Sequence, residues 1–502
     1  MCGFVCLWRI DDADLARAMI DRIAHRGPDA TDVIRHPVAP VIMAHCRLAI
    51  IGPEDGAQPI RQDSDLLVVN GEIYNHADLR AILGPAAFST ASDSETVVHL
   101  FRSGQVRWVS RLDGMFAFVL ATRDRIIAAR DPLGIKPLYL AHIGGGLAFA
   151  SELKAFDGLP VESIEAIPPG SLFDSLEGAR QWYRTPSGAA LAEPGLDPQT
   201  IARELRLVLE TAVSKWRVAD VEVGSFLSGG LDSSIIAAIA ARQGPLKTFA
   251  VGAEGSPDLL AAERVAAHIG SDHYSHAFTA QDVADVLPHV IHALESADVD
   301  LVRSAIPTHF AAQLARRHVK AVLTGEGADE LFAGYTYHQD YVDHPRELAE
   351  ELTRSLNAMH NINLQRVDRI TMGVSLEART PFLDRELIDF AQSIPATLKL
   401  RRTDPADAES TGPITEKWIL RKAVSDLLPH DLVWRKKAQF DEGSGTVDML
   451  REALMMLSGE SRPLDRAAEG ALYEKLLRDA YASPDMILAQ AGNWTAGRVT
   501  AA

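Results

Sequence analysis

One stretch limits the fold of this chain more than any other: VEVGSFLSGGLDSSIIAAIAARQ, residues 221–243. A buried apolar strand, a turn of glycines and serines, and an apolar helix follow one another without a gap. The pairing recurs in KTFAVG and AAERVAAHIG. Strand–helix alternation of this kind predicts a parallel sheet covered by helices. At the junction, Ser225–Ser234, Gly229 and Gly230 let the backbone approach an anion. Ser228, Ser233 and Ser234 add hydroxyl donors, and the helix N-terminus aims its amides at the same place. No lysine follows the glycines, so this is not the GxxxxGK[ST] loop. Asp232 would repel a phosphate held there, and a bridging Mg²⁺ resolves that conflict.

The rest of the chain divides around this unit. Its 502 residues exceed one ordinary domain. Residues 1–185 carry short strand-like runs such as DLLVVNGEIYN, DGMFAFVLATRD and GLAFASEL, broken by Gly, Asp and Pro. RTPSGAALAEPGLDPQ reads as a linker, placed at 186–200. Helical periodicity then begins, and residues 201–480 form a second domain that is mainly helical beyond about residue 330. Residues 481–502, ending GNWTAGRVTAA, read as a loose tail.

Lys and Arg total 50 against 68 Asp and Glu, a net charge of −18. That balance argues against nucleic acid or an anionic membrane as the main partner, without excluding a phosphate compound in a local pocket. No apolar stretch approaches a membrane span, and no basic-then-apolar leader opens the chain. Three cysteines, Cys2, Cys6 and Cys46, make no disulfide framework and suit a reducing, cytoplasmic setting. Cys6 and Cys46 read as packing residues.

Cys2 is different. The chain opens MCGFVCLWRI, and a small second residue lets the methionine be trimmed. Cys2 would then carry a thiol beside a free amine of pKa about 8, so that nucleophile and base share one residue.

SGGLDSS is similar to the pyrophosphate loop of ATP pyrophosphatases. Together with Met-Cys-Gly it resembles the glutamine-hydrolysing asparagine synthetase family, over roughly residues 1–440. HRGPD at 25–29, CRLAII at 46–51, GAQP at 56–59, NGEIYNH at 70–76 and SDSE at 92–95 stand in the family's order. TGEGADELFAGY at 324–335, EARTPFLD at 377–384 and WRKKAQF at 434–440 follow. The resemblance implies an N-terminal Ntn-hydrolase-type β-sandwich with flanking helices. It also implies a C-terminal ATP-pyrophosphatase (adenine nucleotide α-hydrolase-like) domain, a combined α+β and α/β architecture.

By the same resemblance, Cys2 attacks the side-chain amide of glutamine. Asn70 and Gly71 are the oxyanion donors. Arg47 pairs with the α-carboxylate, Glu72 and Asp93 surround the α-ammonium, and Leu48 and Ile51 complete the glutamine site. ATP falls to Leu227, Ser228, Gly229, Gly230, Leu231, Asp232, Ser233, Ser234, Val251, Thr324 and Gly325. Asp232 and Asp329 hold Mg²⁺, and Lys437 neutralises the leaving pyrophosphate. Glu326 takes a proton from attacking ammonia, and Arg303 lies at the acceptor site. The implied small-molecule partners are glutamine, ATP and aspartate or a related acid, and a homodimer is compatible with the pattern.

The chain departs from close relatives at DVDLVR, residues 298–303. Asp300 and Leu301 stand where two threonines are usual, and Arg303 is kept. Asp300 is expected to pair with Arg303, to face the acceptor pocket, or to point into solvent. The departure keeps open a tailoring amide ligase of the same family that acts on another carboxylate. A non-catalytic glutamine- or nucleotide-binding regulator is the reading from another class. The catalytic-type residues argue against it.

Overall fold

The structure, a computed structural model, describes residues 2–189, 197–436 and 445–499. The N-terminal unit stacks two six-stranded sheets whose strands pair antiparallel. The first runs Ser163–Ala166, Tyr139–Ile143, Gly146–Ala150, Cys2–Trp8, Val41–Arg47, Ala30–Arg35. The second runs Gly178–Gln181, Ser171–Asp174, Ile126–Arg130, Gly114–Ala121, Asp65–Ile73, Ile60–Gln62. Alternation along each strand divides the packing. Phe4, Cys6 and Trp8 meet Val68, Ala117 and Val119 between the sheets. Val5 and Leu7 turn outward onto Ala16, Met19 and Ile20 of the helix Ala13–Asp21. Val69, Phe116 and Phe118 pack under Val97, Val98 and Leu100 of the helix Glu95–Arg102. Both faces of each sheet are thereby covered, which is why its central strands read as unbroken apolar runs rather than as an alternation with polar residues.

The second unit is built on a five-stranded parallel sheet, in the order Asp272–Ala277, Lys247–Gly252, Val223–Phe226, Ala321–Leu323, Glu377–Arg379. The first three strands step one way along the sheet, and the last two lie on the other side of Val223–Phe226. The order therefore reverses between Val223–Phe226 and Ala321–Leu323. A crevice opens at such a switch point, beyond the carboxyl ends of the strands. The SGGLDSS turn and the TGEGADELFAGY segment leave exactly those two strand ends.

The two units share their cores. Leu48, Ile50, Met115 and Ile135 of the sandwich belong to one apolar cluster with Leu227, Leu323, Phe332 and Met372 of the second unit. Polar contacts fix the same interface: the Lys320 ammonium reaches Asp29 at 2.6 Å, and the Gly52 N–H donates to Asp220 at 2.8 Å. The expected linker is seen at its start, where Gly188 donates to Thr353 and Ala189 to the Gln392 carbonyl; residues 190–196 lie outside the described residues. Beyond residue 481 the chain is packed rather than loose. Ser483 donates to Asp157 at 2.7 Å, Trp494 meets the Tyr335 ring edge-on, and the Val499 N–H donates to Glu351. Trp494 and Val499 supply the apolar contact that GNWTAGRVTAA does not advertise as a pattern. Among the described residues, no helix is long and apolar enough to cross a membrane.

Candidate active sites at the two ends of the domain interface

Cys2 begins a strand of the first sheet and Asn70 lies on a strand of the second, so Cys2 stands between the sheets. The Cys2 nitrogen donates to Asn70 Oδ1 at 3.3 Å. That contact turns the amide so that Asn70 Nδ2, buried and without a hydrogen-bond partner, is left as a donor. Its neighbour Gly71 has φ +144°, and a Cβ there would strike the Met115 carbonyl, so only glycine brings this N–H into place. Cys2 therefore lies beside the unsatisfied amide donor of Asn70, whose next residue along the strand must be glycine. Burial pushes the Cys2 thiol up, while a backbone hydrogen bond from Leu48 and the Arg47 guanidinium act the other way.

Arg47 pairs with Cys2 across the strands, and its guanidinium is clamped by the carbonyls of Pro53, Ile51 and Gly52 at 3.1, 3.4 and 2.5 Å. Glu72 and Asp93 are buried nearby. Burial, with Glu377 and Asp93 close, pushes the Glu72 carboxyl well up; the Arg379 guanidinium, 3.8 Å away, only partly offsets this. Burial also raises Asp93, although Ile73 N–H donates to it at 2.6 Å. Two carboxylates short of positive charge are suited to an ammonium ligand. The SDSE loop is locked by Glu95, which accepts four bonds from Ser89 and Thr90. Against burial, those bonds hold its carboxyl down to about 2.

The second site is a cavity of about 1070 Å³ at the switch point of the parallel sheet. All the ATP residues named from the sequence line it except Gly229 and Ser234. Those two stand behind the wall. Gly229 turns at φ +74°, where a Cβ would meet Asp258 O and Ala261, and Ser234 Oγ donates to Gly230 O at 2.7 Å. The helix Leu231–Arg242 has no side-chain cap, so its first amides remain free for an anion. Ser228 and Ser233 hydroxyls lie 3.0 Å apart beside them.

Asp232 and Asp329 converge on Lys417, which no local sequence motif marks. Lys417 Nζ lies 2.6 Å from both Asp232 oxygens and 2.5 Å from Asp329. Burial works against the ammonium, yet the two carboxylates raise its pKa. Two hard carboxylate ligands that both line the cavity fit Mg²⁺, which takes one or two carboxylates and completes its shell with phosphate oxygens and water.

Glu326 also lines the cavity, ion-paired with Arg366 of the helix Asn363–Met372. Glu330 is buried behind it, accepting from Tyr335 OH at 2.6 Å and Asn363 at 2.9 Å. Burial, with Asp329 and Glu326 adjacent, raises its carboxyl to about 7.

Arg303 is engaged elsewhere in this structure. Its Nε and Nη2 donate to Glu469 at 2.8 and 2.6 Å, and it does not line the cavity. Asp300 does line it, but pairs with Arg466 at 2.9 and 2.7 Å rather than with Arg303. Glu469 and Arg466 lie on a helix some 166 residues away, so no local pattern could reveal either pairing. Lys437 lies outside the described residues.

Comparison with known proteins agrees with this two-site layout. The sequence profile of the family described as "Glutamine amidotransferase domain" matches residues 1–169, and that of "Asparagine synthase" matches 204–347 and 340–500. A protein of Triphysaria versicolor named asparagine synthetase [glutamine-hydrolyzing] is 38% identical, over 89% of this chain and 78% of its own. One of Arabidopsis thaliana, asparagine synthetase [glutamine-hydrolyzing] 3, is 39% identical over 89% and 79%. One of Sandersonia aurantiaca is 37% identical over 89% and 87%. The chain belongs to the glutamine-hydrolysing asparagine synthetase family.

Proposed function

We infer that this chain makes asparagine from aspartate, ATP and glutamine in two coupled half-reactions. The observation that carries the reading is the coexistence of a buried cysteine beside an unsatisfied amide donor and an uncapped phosphate-loop cavity across one continuous apolar interface. In the first site, Cys2 Sγ attacks the glutamine carboxamide, the C–N bond breaks, and ammonia leaves. Water then cleaves the thioester to glutamate. Asn70 Nδ2 and Gly71 N–H stabilise each tetrahedral oxyanion. Arg47 takes the α-carboxylate, and Glu72 and Asp93 the α-ammonium. The ammonium would supply the positive charge those buried acids lack.

In the second site, a carboxylate oxygen of aspartate attacks the α-phosphorus of ATP and pyrophosphate leaves. Amides of the helix Leu231–Arg242 and the serine hydroxyls receive the phosphate oxygens. Asp232 and Asp329 would hold Mg²⁺; when bound, the ion supplies Lewis-acid neutralisation of the phosphate charge. Lys437 joins that role by its place in WRKKAQF. Ammonia then attacks the acyl-adenylate carbon, Glu326 takes its proton, and AMP leaves. Leu48, Ile50, Met115 and Ile135 offer ammonia an apolar route, which keeps it unprotonated between the sites.

A second reading rests on Arg303 and Asp300. With Arg303 held by Glu469, the cation at this part of the wall is Arg466, itself paired with Asp300, so less free positive charge faces a dianionic acid. The alternative acceptor is a carboxylic acid bearing a cationic or hydroxyl group. Incubation with ATP, Mg²⁺, amide-labelled glutamine and each candidate acid decides between them. Label in asparagine supports the first reading; label only in another amide supports the second.

A further inference from the structure

The ten-residue helix Asn363–Met372 touches both sites. Near its start, Asn363 Nδ2 donates to Glu330 at 2.9 Å and to Tyr335 OH at 2.8 Å, and Arg366 pairs with Glu326. Two residues further on, Asp368 accepts from Arg26 Nη1 at 2.8 Å and Nη2 at 3.1 Å. Arg26 uses its remaining side to donate from Nε to the Cys2 carbonyl at 3.0 Å, and Nη1 also meets Glu152 at 2.5 Å. Just past the helix, Ser375 Oγ donates to the His25 carbonyl at 2.6 Å. The HRG turn is therefore gripped from the synthetase side at two successive residues.

The group is closed to water. Arg26 and Glu152 are fully buried and Asp368 nearly so. Arg369, on the same helix, anchors it further through Glu295 at 2.8 Å and Tyr139 OH at 3.2 Å. Lys136 and Lys154 complete the cluster against Asp368 and Glu152. A planar guanidinium saturated on both edges has one orientation. It fixes the Cys2 carbonyl, and through that peptide plane the Cα–Cβ bond from which the thiol extends.

We propose that Asp368 is a positioning residue for Cys2, and that the helix carrying it ties the reactivity of the nucleophile to the state of Glu326 in the acceptor cavity. Ten helical residues span only about 15 Å and move as one body. Loading the cavity changes what Arg366 and Asn363 hold. Any shift of the helix is delivered to Asp368, Arg26 and the Cys2 carbonyl, because packed elements move between discrete arrangements. The consequence is restraint: glutamine is spent fastest when an adenylate is waiting for ammonia. This rests on the assignment of Cys2 and Glu326 to the two half-reactions.

The test is the rate at which a diazoketone analogue of glutamine labels Cys2, with and without ATP, Mg²⁺ and aspartate. In the unmodified protein the rate is expected to change about fivefold or more on loading. In Asp368→Asn that response is lost, and more glutamate is released per asparagine, with ammonia-dependent synthesis as the control for folding. Ser375→Gly provides a second variant should Asp368→Asn fail to fold. Ser375 sits at φ +60°, so glycine removes the hydroxyl without backbone strain, and the response should weaken. A rate at Cys2 indifferent to loading, or variants that respond like the unmodified protein, overturns the proposal alone. Labelling at another residue overturns the assignment of Cys2 and the proposal with it.

Discussion

The ammonium of Lys417 sits 2.6 Å from both carboxylate oxygens of Asp232, a residue 185 positions earlier in the chain, and simultaneously 2.5 Å from Asp329. Lys417 thus supplies positive charge at the point where the two proposed Mg²⁺ ligands meet. It holds them together before nucleotide arrives and prevents two neighbouring carboxylates from repelling one another.

Replacing Lys417 by Met should leave those carboxylates facing each other uncompensated. Breaking a largely buried pair of this kind costs about 2–3 kcal/mol, with some relief because both acids reach the cavity. The thermal midpoint should fall, and Mg²⁺ should restore more of it in the variant than in the unmodified protein. Thermal unfolding with and without Mg²⁺ measures this; equal Mg²⁺ responses would place the ion elsewhere.

Glu330 carries a pH signature. Burial, with Asp329 and Glu326 adjacent, raises its carboxyl from 4.5 to about 7 in the folded protein. Between those values the unfolded chain has released the proton and the folded protein has kept it. Its contribution to stability therefore falls as pH rises from about 4.5 to 7, by about 1.4 kcal/mol per pH unit at most, and levels off above. Glu330→Gln should remove that slope, so the variant gains on the unmodified protein across this window. Denaturant melts at several pH values would show it, and a stability difference that does not vary with pH would contradict it.

Arg303 and Arg466 separate a structural role from a binding one. Arg303→Ala leaves Glu469, only 2% exposed, with the Tyr473 hydroxyl as its remaining donor, and should destabilise by about 2 kcal/mol. Arg466→Ala breaks an exposed pair and should change stability by less than about 1 kcal/mol. Because Arg466 lines the cavity, its loss should instead raise the KM for the acceptor acid. The reverse pattern would return Arg303 to the acceptor site.

These pairings mark where sequence reading stops. The phosphate loop was legible because strand, turn and helix are contiguous, and their periodicities change within twenty-odd residues. Cys2, Asn70, Gly71, Arg47 and Asp93 were legible only as a set, through motifs in a known order. Alone, each reads as a turn or a surface charge. Lys417, Arg366, Asp368 and Glu469 belong to no local pattern. Each acquires its partner from a distant segment by packing, and helix periodicity says nothing about which charge it will meet. The stretch of chain around Trp494 is short, small and polar, so its sequence carries no sign of its order. Its order comes from Tyr335, Arg354 and Glu351, which close over it from elsewhere.

If one chain holds two separable sites, one that frees ammonia and one that uses it, Cys2→Ala separates them. The measurement is asparagine formation with glutamine and then with ammonium as nitrogen source, alongside pyrophosphate release. Glutamine should no longer support synthesis, while ammonium should support it at nearly the unmodified rate with one pyrophosphate per asparagine. Equal loss of both activities in a protein that remains folded would contradict this separation.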